Sequence, residues 1–402
     1  MLKTALTGGE AQVDAPADPA RALEFFAGSG LVRHGLSPFF EVVWANDICK
    51  KKAAVYTANF GDGELVVAPI EKISGTALPQ ADLGWASFPC EDLSLAGGLS
   101  GMGPGTRSGL FWHWLRVLDE MNSKSRPKVI VAENVVGFLV AHGGAYFRSA
   151  YHALRARGYI AGAIVLDAVW FLPQSRPRAF LVGVHEGTLV EGLISKGPTS
   201  VFHPRAVRTA WQAVERDPDW VWWRLPCPPA RRIEFQDLCD LDAPCDPPEK
   251  TERLLSLLSP ANRRKLDAAV RTGKVIVGTG YRRVRKEADG IKRQRFEIRF
   301  DGVAGCLRTP EGGSARQFVV IVCNGKIRTR LLTLDEAARL MGAPPGFKLP
   351  GTYNDGYRAL GDAVAAPVTR WLAQHLLFPL ASRARHLQEV KTGATVPSLV
   401  EA

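Results

Sequence analysis

Short apolar runs of strand length recur through the first half of the chain, at residues 23–26, 42–45, 83–87, 129–132, 164–166 and 179–184. Between several of them lie stretches whose apolar residues follow helical spacing, notably 110–121 and 146–157. Strand and helix alternating at this interval predict a doubly wound α/β sheet. Such sheets bind ligands in the crevice beyond the carboxyl ends of their strands. Gly28, Asp47, Cys90 and Glu133 each fall at the end of one of these runs, so a single crevice can collect them.

The texture changes after about Gly187. Residues 217–250 are dense in Pro and Trp, 251–270 read as one amphipathic helix, and 275–322 read as short strands with glycine turns. At 402 residues the chain exceeds the roughly 100–200 of one domain, so this second texture predicts a smaller, inserted domain. Helix signals then return: Thr333 can cap a helix with Glu336 as its reciprocal partner, and Gly342 followed by Pro344 and Pro345 can end it. Residues 361–377 supply a further helix returning to the first domain. The expected division is a poorly ordered leader at 1–20, a first domain at 21–190, the insertion at 191–328, a return segment at 329–380 and a tail at 381–402.

Lys plus Arg outnumber Asp plus Glu by 51 to 40, a net charge of +11, which favours a polyanionic partner. Residues 274–330 hold 14 basic and 5 acidic side chains, an excess of +9 inside the insertion. There Tyr281, Phe296 and Phe300 interleave with Arg282, Arg283, Arg285, Arg293, Arg295 and Arg299, which points to phosphate contacts rather than a merely solvated face. Nucleic acid is the leading partner. The 7 cysteines contain no CxxC pair, and His203 is remote from Cys227, Cys239 and Cys245, so no metal site is expected. No signal peptide and no membrane-spanning run is seen, and a reducing, cytoplasmic setting is the expectation.

Four sites carry chemistry. Phe26-Ala27-Gly28-Ser29-Gly30 follows the first run, and its glycines let the backbone approach a nucleotide-like ligand or simply make a tight turn. A pyrophosphate fingerprint would want glycine where Arg33 stands, and Asp47 suits a ribose, so adenosine without pyrophosphate points to S-adenosylmethionine. Cys90 follows Pro89 and precedes a glycine-rich segment; alone it reads as a buried hydrophobe, but beside Glu133 and Arg178 it reads as a nucleophile for a soft, electron-poor carbon. Glu133 suits a proton donor whose pKa burial raises, or else the cap of a helix. Arg176 and Arg178 flank Pro177, and period two aims both to one side, to satisfy core carboxylates or to clasp a base carbonyl.

Taken in order, Phe26-Ala27-Gly28-Ser29-Gly30, Phe88-Pro89-Cys90, Glu133-Asn134-Val135, Gln174-Ser175-Arg176-Pro177-Arg178 and Gly361-Asp362-Ala363-Val364 resemble the DNA (cytosine-5) methyltransferases, over nearly everything from residue 23 to 377. The resemblance implies a Rossmann-like S-adenosylmethionine-dependent methyltransferase domain, with the insertion as its target-recognition domain. It implies that Cys90 adds to C6 of a cytosine flipped out of duplex DNA, that Glu133 protonates N3, and that Arg178 with Arg176 alongside holds the base oxygen. By the same resemblance Phe26 packs on the cofactor adenine, Ile48 covers its other face, and Asp47 binds the ribose. Ala27, Gly28, Ser29, Gly30, Pro89, Asp362, Ala363 and Val364 complete the cofactor site. Ser94, near the root of the glycine-rich segment, and Arg282, Arg283, Arg285, Arg293 and Arg295 are the expected DNA contacts.

Three residues depart from the family pattern: Glu91 for the usual Gln, Pro69 where an Asp is common, and Asp362 for the frequent Asn. Double-stranded DNA is the expected partner of a monomeric, prokaryotic enzyme, with a cognate restriction endonuclease left open. The rival readings are an RNA cytosine-5 methyltransferase and a DNA-binding regulator with a vestigial methyltransferase fold.

Overall fold

The computed structural model describes residues 15–89, 109–287, 289–309 and 316–392. Among them, seven strands form one sheet: β1 (Ala20–Phe25), β2 (Phe40–Asp47), β3 (Leu65–Val67), β4 (Leu83–Ser87), β5 (Val129–Val135), β6 (Tyr159–Asp167) and β7 (Pro177–His185). Their order is β3-β2-β1-β4-β5-β7-β6, parallel throughout except for β7, which runs antiparallel to both neighbours. The predicted α/β sheet is therefore present, with one strand reversed.

Alternation along the strands builds two layers. Ala20 and Ala22 of β1 face one core, where α1 (Leu31–Leu36) and α2 (Lys50–Phe60) supply Leu31, Leu36, Val55 and Tyr56. Leu23 and Phe25 face the other, covered by α3 (Leu110–Glu120) and α4 (Ala145–Arg155). On α3 the buried residues Phe111, Trp114, Leu115 and Leu118 fall at i, i+3, i+4 and i+7, a single apolar stripe. Burying each such side chain contributes roughly 1.5–3 kcal/mol, so the stripe holds α3 on the sheet.

The first part of the expected insertion belongs to this sheet rather than to a second domain. After α5 (Arg205–Ala213), Trp220 to Trp223 run along the exposed edge of β6, where Val221 N donates to Ala161 O at 2.9 Å. A Cβ on Gly162 would lie 1.8 Å from Val221 O, so this approach requires glycine. Trp220 and Trp222 join one core and Trp223 the other.

The helix expected at 251–270 is two helices, α6 (Pro248–Leu255) and α7 (Pro260–Arg271). The first stops at Leu255, and Pro260 opens the second, capped by Ser259, whose hydroxyl accepts from Asn262 N at 3.3 Å. Four antiparallel strands follow, β8 (Ile276–Lys286), β9 (Lys292–Arg299), β10 (Gln317–Cys323) and β11 (Lys326–Leu331), in the order β11-β10-β8-β9. One face of this sheet carries Phe296, Ile298, Phe318, Val320 and Val322 against α6 and α7. The other presents Val277, Val319 and Ile321 to the main core.

The chain returns through α8 (Leu334–Leu340), whose Thr333–Glu336 capping box forms as predicted, with Gly342 at a φ of +71° beyond its end. The helix expected at 361–377 is split: α9 (Tyr353–Asp362) ends at the Gly361-Asp362 pair, and α10 (Ala366–Leu372) restarts with Pro367 in its first turn. The expected tail instead begins with α11 (Phe378–Thr392), which packs Phe378 on Phe39 and Phe40 and pairs Arg385 with Asp18 and Asp82.

Candidate active site

Phe26, Gly28 and Gly30 take φ values of 59°, 58° and 79°, so the chain turns sharply as it leaves β1. A Cβ on Gly30 would sit 2.5 Å from the Phe60 ring, whereas at Gly28 the nearest atom is Lys52 Cδ at 4.0 Å, which leaves space for a ligand. The Asp47 carboxylate accepts from Gly28 N at 2.8 Å and from Cys49 N at 2.7 Å, tying the ends of β1 and β2 together. Each oxygen keeps a lone pair for a ribose hydroxyl. Ile48, 67% exposed beside it, offers the uncovered apolar surface an adenine would need, and partly exposed Phe26 a second. Ala27 and Ser29 are buried, the Ser29 hydroxyl without a partner among the described residues. The open turn, the ribose-competent carboxylate and the two apolar side chains fit S-adenosylmethionine.

The closing element reaches the same place from the far end of the chain. Lys52 on α2 pairs with Asp362 at 2.6 Å, and Thr309 donates to the other Asp362 oxygen at 2.5 Å. Burial alone would lower the Lys52 amine, but Asp362 outweighs it and holds the ammonium above its ordinary range. The aspartate that departs from the family pattern thus has its own counter-ion. Ala363 presents its carbonyl to Arg176, and Val364 is buried in the main core.

Reversal of β7 explains how an arginine at the start of one strand meets a carboxylate near the end of another. Glu133 is registered against Phe180 and Val135 against Arg178, so Glu133 and Arg178 are diagonal neighbours on one face. Arg178 Nε lies 3.2 Å from Glu133 Oε1. Glu133 is 6% exposed, and burial pushes its carboxyl above the usual range against the opposing pull of Arg178, Arg176 and a hydrogen bond from Ser87. A carboxyl in that state can keep a proton toward neutral pH and deliver it to a ring nitrogen.

Arg176 is engaged differently. It is 1% exposed and donates to Leu307 O at 2.8 Å, Gly361 O at 2.7 Å and Ala363 O at 2.5 Å, with Cys306 Sγ 3.1 Å from Nη1. Its guanidinium therefore braces the closing element and the segment between β9 and β10. Three residues with no sequence-stated role support the site. Asn134 Nδ2 donates to Phe88 O at 3.2 Å and fixes the main chain leading to Pro89. Buried Gln174 bonds Leu340 O at 2.6 Å and accepts from Leu307 N at 3.1 Å. Cys306 stands between the two arginines. Their contacts span 46 to 166 residues, which no local motif reveals.

In the second sheet Arg283 is registered against Arg295 and Arg285 against Arg293, so these four share a face that Arg299 continues. Like charges facing one another repel, and Glu287, Asp289 and Glu297 offset this by pairing with Arg293, Arg295 and Arg285. The stripe extends the same face that docks on the main core through Val277, Val319 and Ile321. Arg282 projects to the opposite face, its guanidinium 5.9 Å from the centre of the Phe318 ring, apart from the other expected DNA contacts. Cys90 and Ser94 lie outside the described residues, as does Glu91.

A family model described as C-5 cytosine-specific DNA methylase matches residues 20–377. The chain is 26% identical over 366 residues to the Type II methyltransferase M.NlaX of Neisseria lactamica, covering 90% of this chain and 97% of that one. It is 34% identical over 162 residues to M.Bsp6I of Bacillus sp. (strain RFL6), covering 39% of this chain and 50% of that enzyme, so this match spans only half of that relative. The crystal structure of S. pombe Dnmt2 methyltransferase aligns with a TM-score of 0.56 at 18% identity, covering 90% of this chain and 99% of that one, a likeness of fold.

Proposed function

Because the chain belongs to the C-5 cytosine-specific DNA methylase family, whose methyl donor is S-adenosylmethionine, we propose that it methylates C5 of a cytosine extruded from a specific duplex DNA sequence. The observation that carries this reading is the buried Glu133 held by Arg178 on β5 and β7, in the same sheet whose strand β1 leads into the open Gly28 turn. Cys90 adds through its thiolate to C6 while Glu133 gives a proton to N3, so the electron pair of the C5–C6 double bond becomes available at C5. S-adenosylmethionine, which the Gly28 turn, Asp47, Ile48 and Phe26 would hold, would supply an electrophilic methyl group on a sulfonium for that carbon. Loss of the C5 proton to a solvent base then restores the double bond and expels the thiolate, and the N3 proton returns to Glu133. Arg178 holds the base oxygen, and Arg176 keeps the closing element in place.

Extrusion of the base costs a few kcal/mol, which the arginine stripe of β8 and β9 helps to recover through phosphate contacts. The Type II names of the relatives favour a modification role beside a restriction endonuclease of the same target. Methyl transfer from tritiated S-adenosylmethionine to unmethylated sheared genomic DNA tests the proposal, with bisulfite sequencing to locate the product. Transfer to tRNA and not to DNA would establish the RNA reading instead. Absence of cofactor binding by calorimetry would favour a regulator.

A further inference from the structure

We propose that Cys306 is a positioning residue of this site: its sulfur, delivered by the segment that leaves the recognition sheet, is the counter-ion that holds Arg176 and Arg178 around Glu133. The inference rests on the methyltransferase reading above.

Residues 304–307 are zipped onto the arginine motif. Ala304 N donates to Pro173 O at 2.7 Å, Ser175 N to Ala304 O at 2.9 Å, and Leu307 N to Gln174 Oε1 at 3.1 Å. This places Cys306 Sγ 3.1 Å from Arg176 Nη1, with the Arg178 guanidinium near enough to favour its anionic form. The same Arg178 reaches Glu133 at 3.2 Å, so carboxyl, guanidinium, sulfur and guanidinium form one continuous chain.

The charge balance of that chain gives the sulfur a task. A proton donor must keep its proton until the base arrives, yet two adjacent cations favour its loss. An anionic sulfur between the arginines supplies the missing negative charge and leaves Glu133 free to stay protonated. The other groups facing Cys306 are Arg308, a third cation, and Tyr357, a phenol that burial keeps neutral. Burial alone would raise the Cys306 thiol, but Arg176, Arg178 and Arg308 together hold it below the usual thiol range. When protonated, Sγ can instead donate to Leu307 O at 3.3 Å.

The test is the pH profile of methyl transfer at saturating S-adenosylmethionine and unmethylated sheared genomic DNA, for the wild type, Cys306→Ser and Cys306→Asp. The rate should fall on the alkaline side as Glu133 loses its proton. Cys306→Ser should move that limb to lower pH by roughly one unit, the effect of removing one nearby charge, and Cys306→Asp should restore it. A limb that Cys306→Ser leaves in place overturns the inference. A direct measurement needs no variant: iodoacetamide alkylation of wild-type Cys306, followed by peptide mass spectrometry against pH. Half-maximal reactivity below the ordinary thiol value of about 8.5 supports the thiolate, and reactivity at or above it overturns the proposal. A wild type inactive on DNA would overturn the methyltransferase reading itself, whereas an active wild type with an unmoved limb rejects only the role of Cys306.

Discussion

Replacing Glu24 by Gln is expected to flatten the decline of stability with rising pH. Glu24 sits on β1 facing the layer of Ala20 and Ala22, and its carboxyl oxygens are buried, with the residue 1% exposed. Burial pushes its pKa from 4.5 to about 8, against the opposing pull of Arg33. The folded state therefore binds more protons than the unfolded chain across that window, so stability is full below it and is lost as pH rises through it. At about 1.4 kcal/mol per pH unit the whole window is worth about 5 kcal/mol, of which about half falls between pH 6 and pH 9. Urea unfolding of both proteins at pH 6, 7.5 and 9 measures this difference directly. The wild type should lose about 2–3 kcal/mol more than Glu24→Gln over that range. His203, whose pKa burial lowers to about 4, titrates in both proteins and cancels. Parallel stability curves for the two proteins would refute the argument.

Other perturbations address the cradle and the interface. Gly30→Ala places a Cβ 2.5 Å from the Phe60 ring at a φ of +79°, and thermal melting should show a loss of at least about 1–3 kcal/mol; an unchanged melting temperature would contradict the close packing. Lys52→Met leaves Asp362 without its cation, and calorimetry should show S-adenosylhomocysteine binding weakened roughly tenfold; unaltered affinity would separate the ion pair from the cofactor. Arg283→Ala should lower the slope of log affinity for DNA against log salt by about 1, and an unaltered slope would remove the β8–β9 face from the interface.

Much of the fold was legible because local signals agreed with the final packing. The run 83–87 became β4 residue for residue, flanked by Asp82, which accepts from Arg21 N, and by Pro89. Thr333 and Glu336 formed the capping box their spacing implies. Legibility failed where a contact overrode or escaped a pattern. Apolar periodicity ran through 251–270, but the first helix stops at Leu255 and Pro260 opens a second. Trp220 to Trp223 carry no strand alternation, because both of their faces are buried along the edge of β6. Reading 275–322 as short strands concealed that β8 is 11 residues long, and over that length alternation separates Arg282 from Arg283. The pairing of Glu133 with Arg178 was anticipated as a shared crevice, while its geometry depends on the reversed β7, which the sequence does not mark.

The central claim is a covalent bond between Cys90 and a cytosine beside Glu133 and Arg178. Genomic fragments amplified with 5-fluorodeoxycytidine triphosphate, incubated with the protein and S-adenosylmethionine, test it most directly, because fluorine at C5 cannot leave as the proton does. Mass spectrometry of the nuclease-digested product should find the nucleotide, with its added methyl group, on Cys90, and no adduct in Cys90→Ser. No adduct with the wild type, or one that survives in Cys90→Ser, would contradict the account.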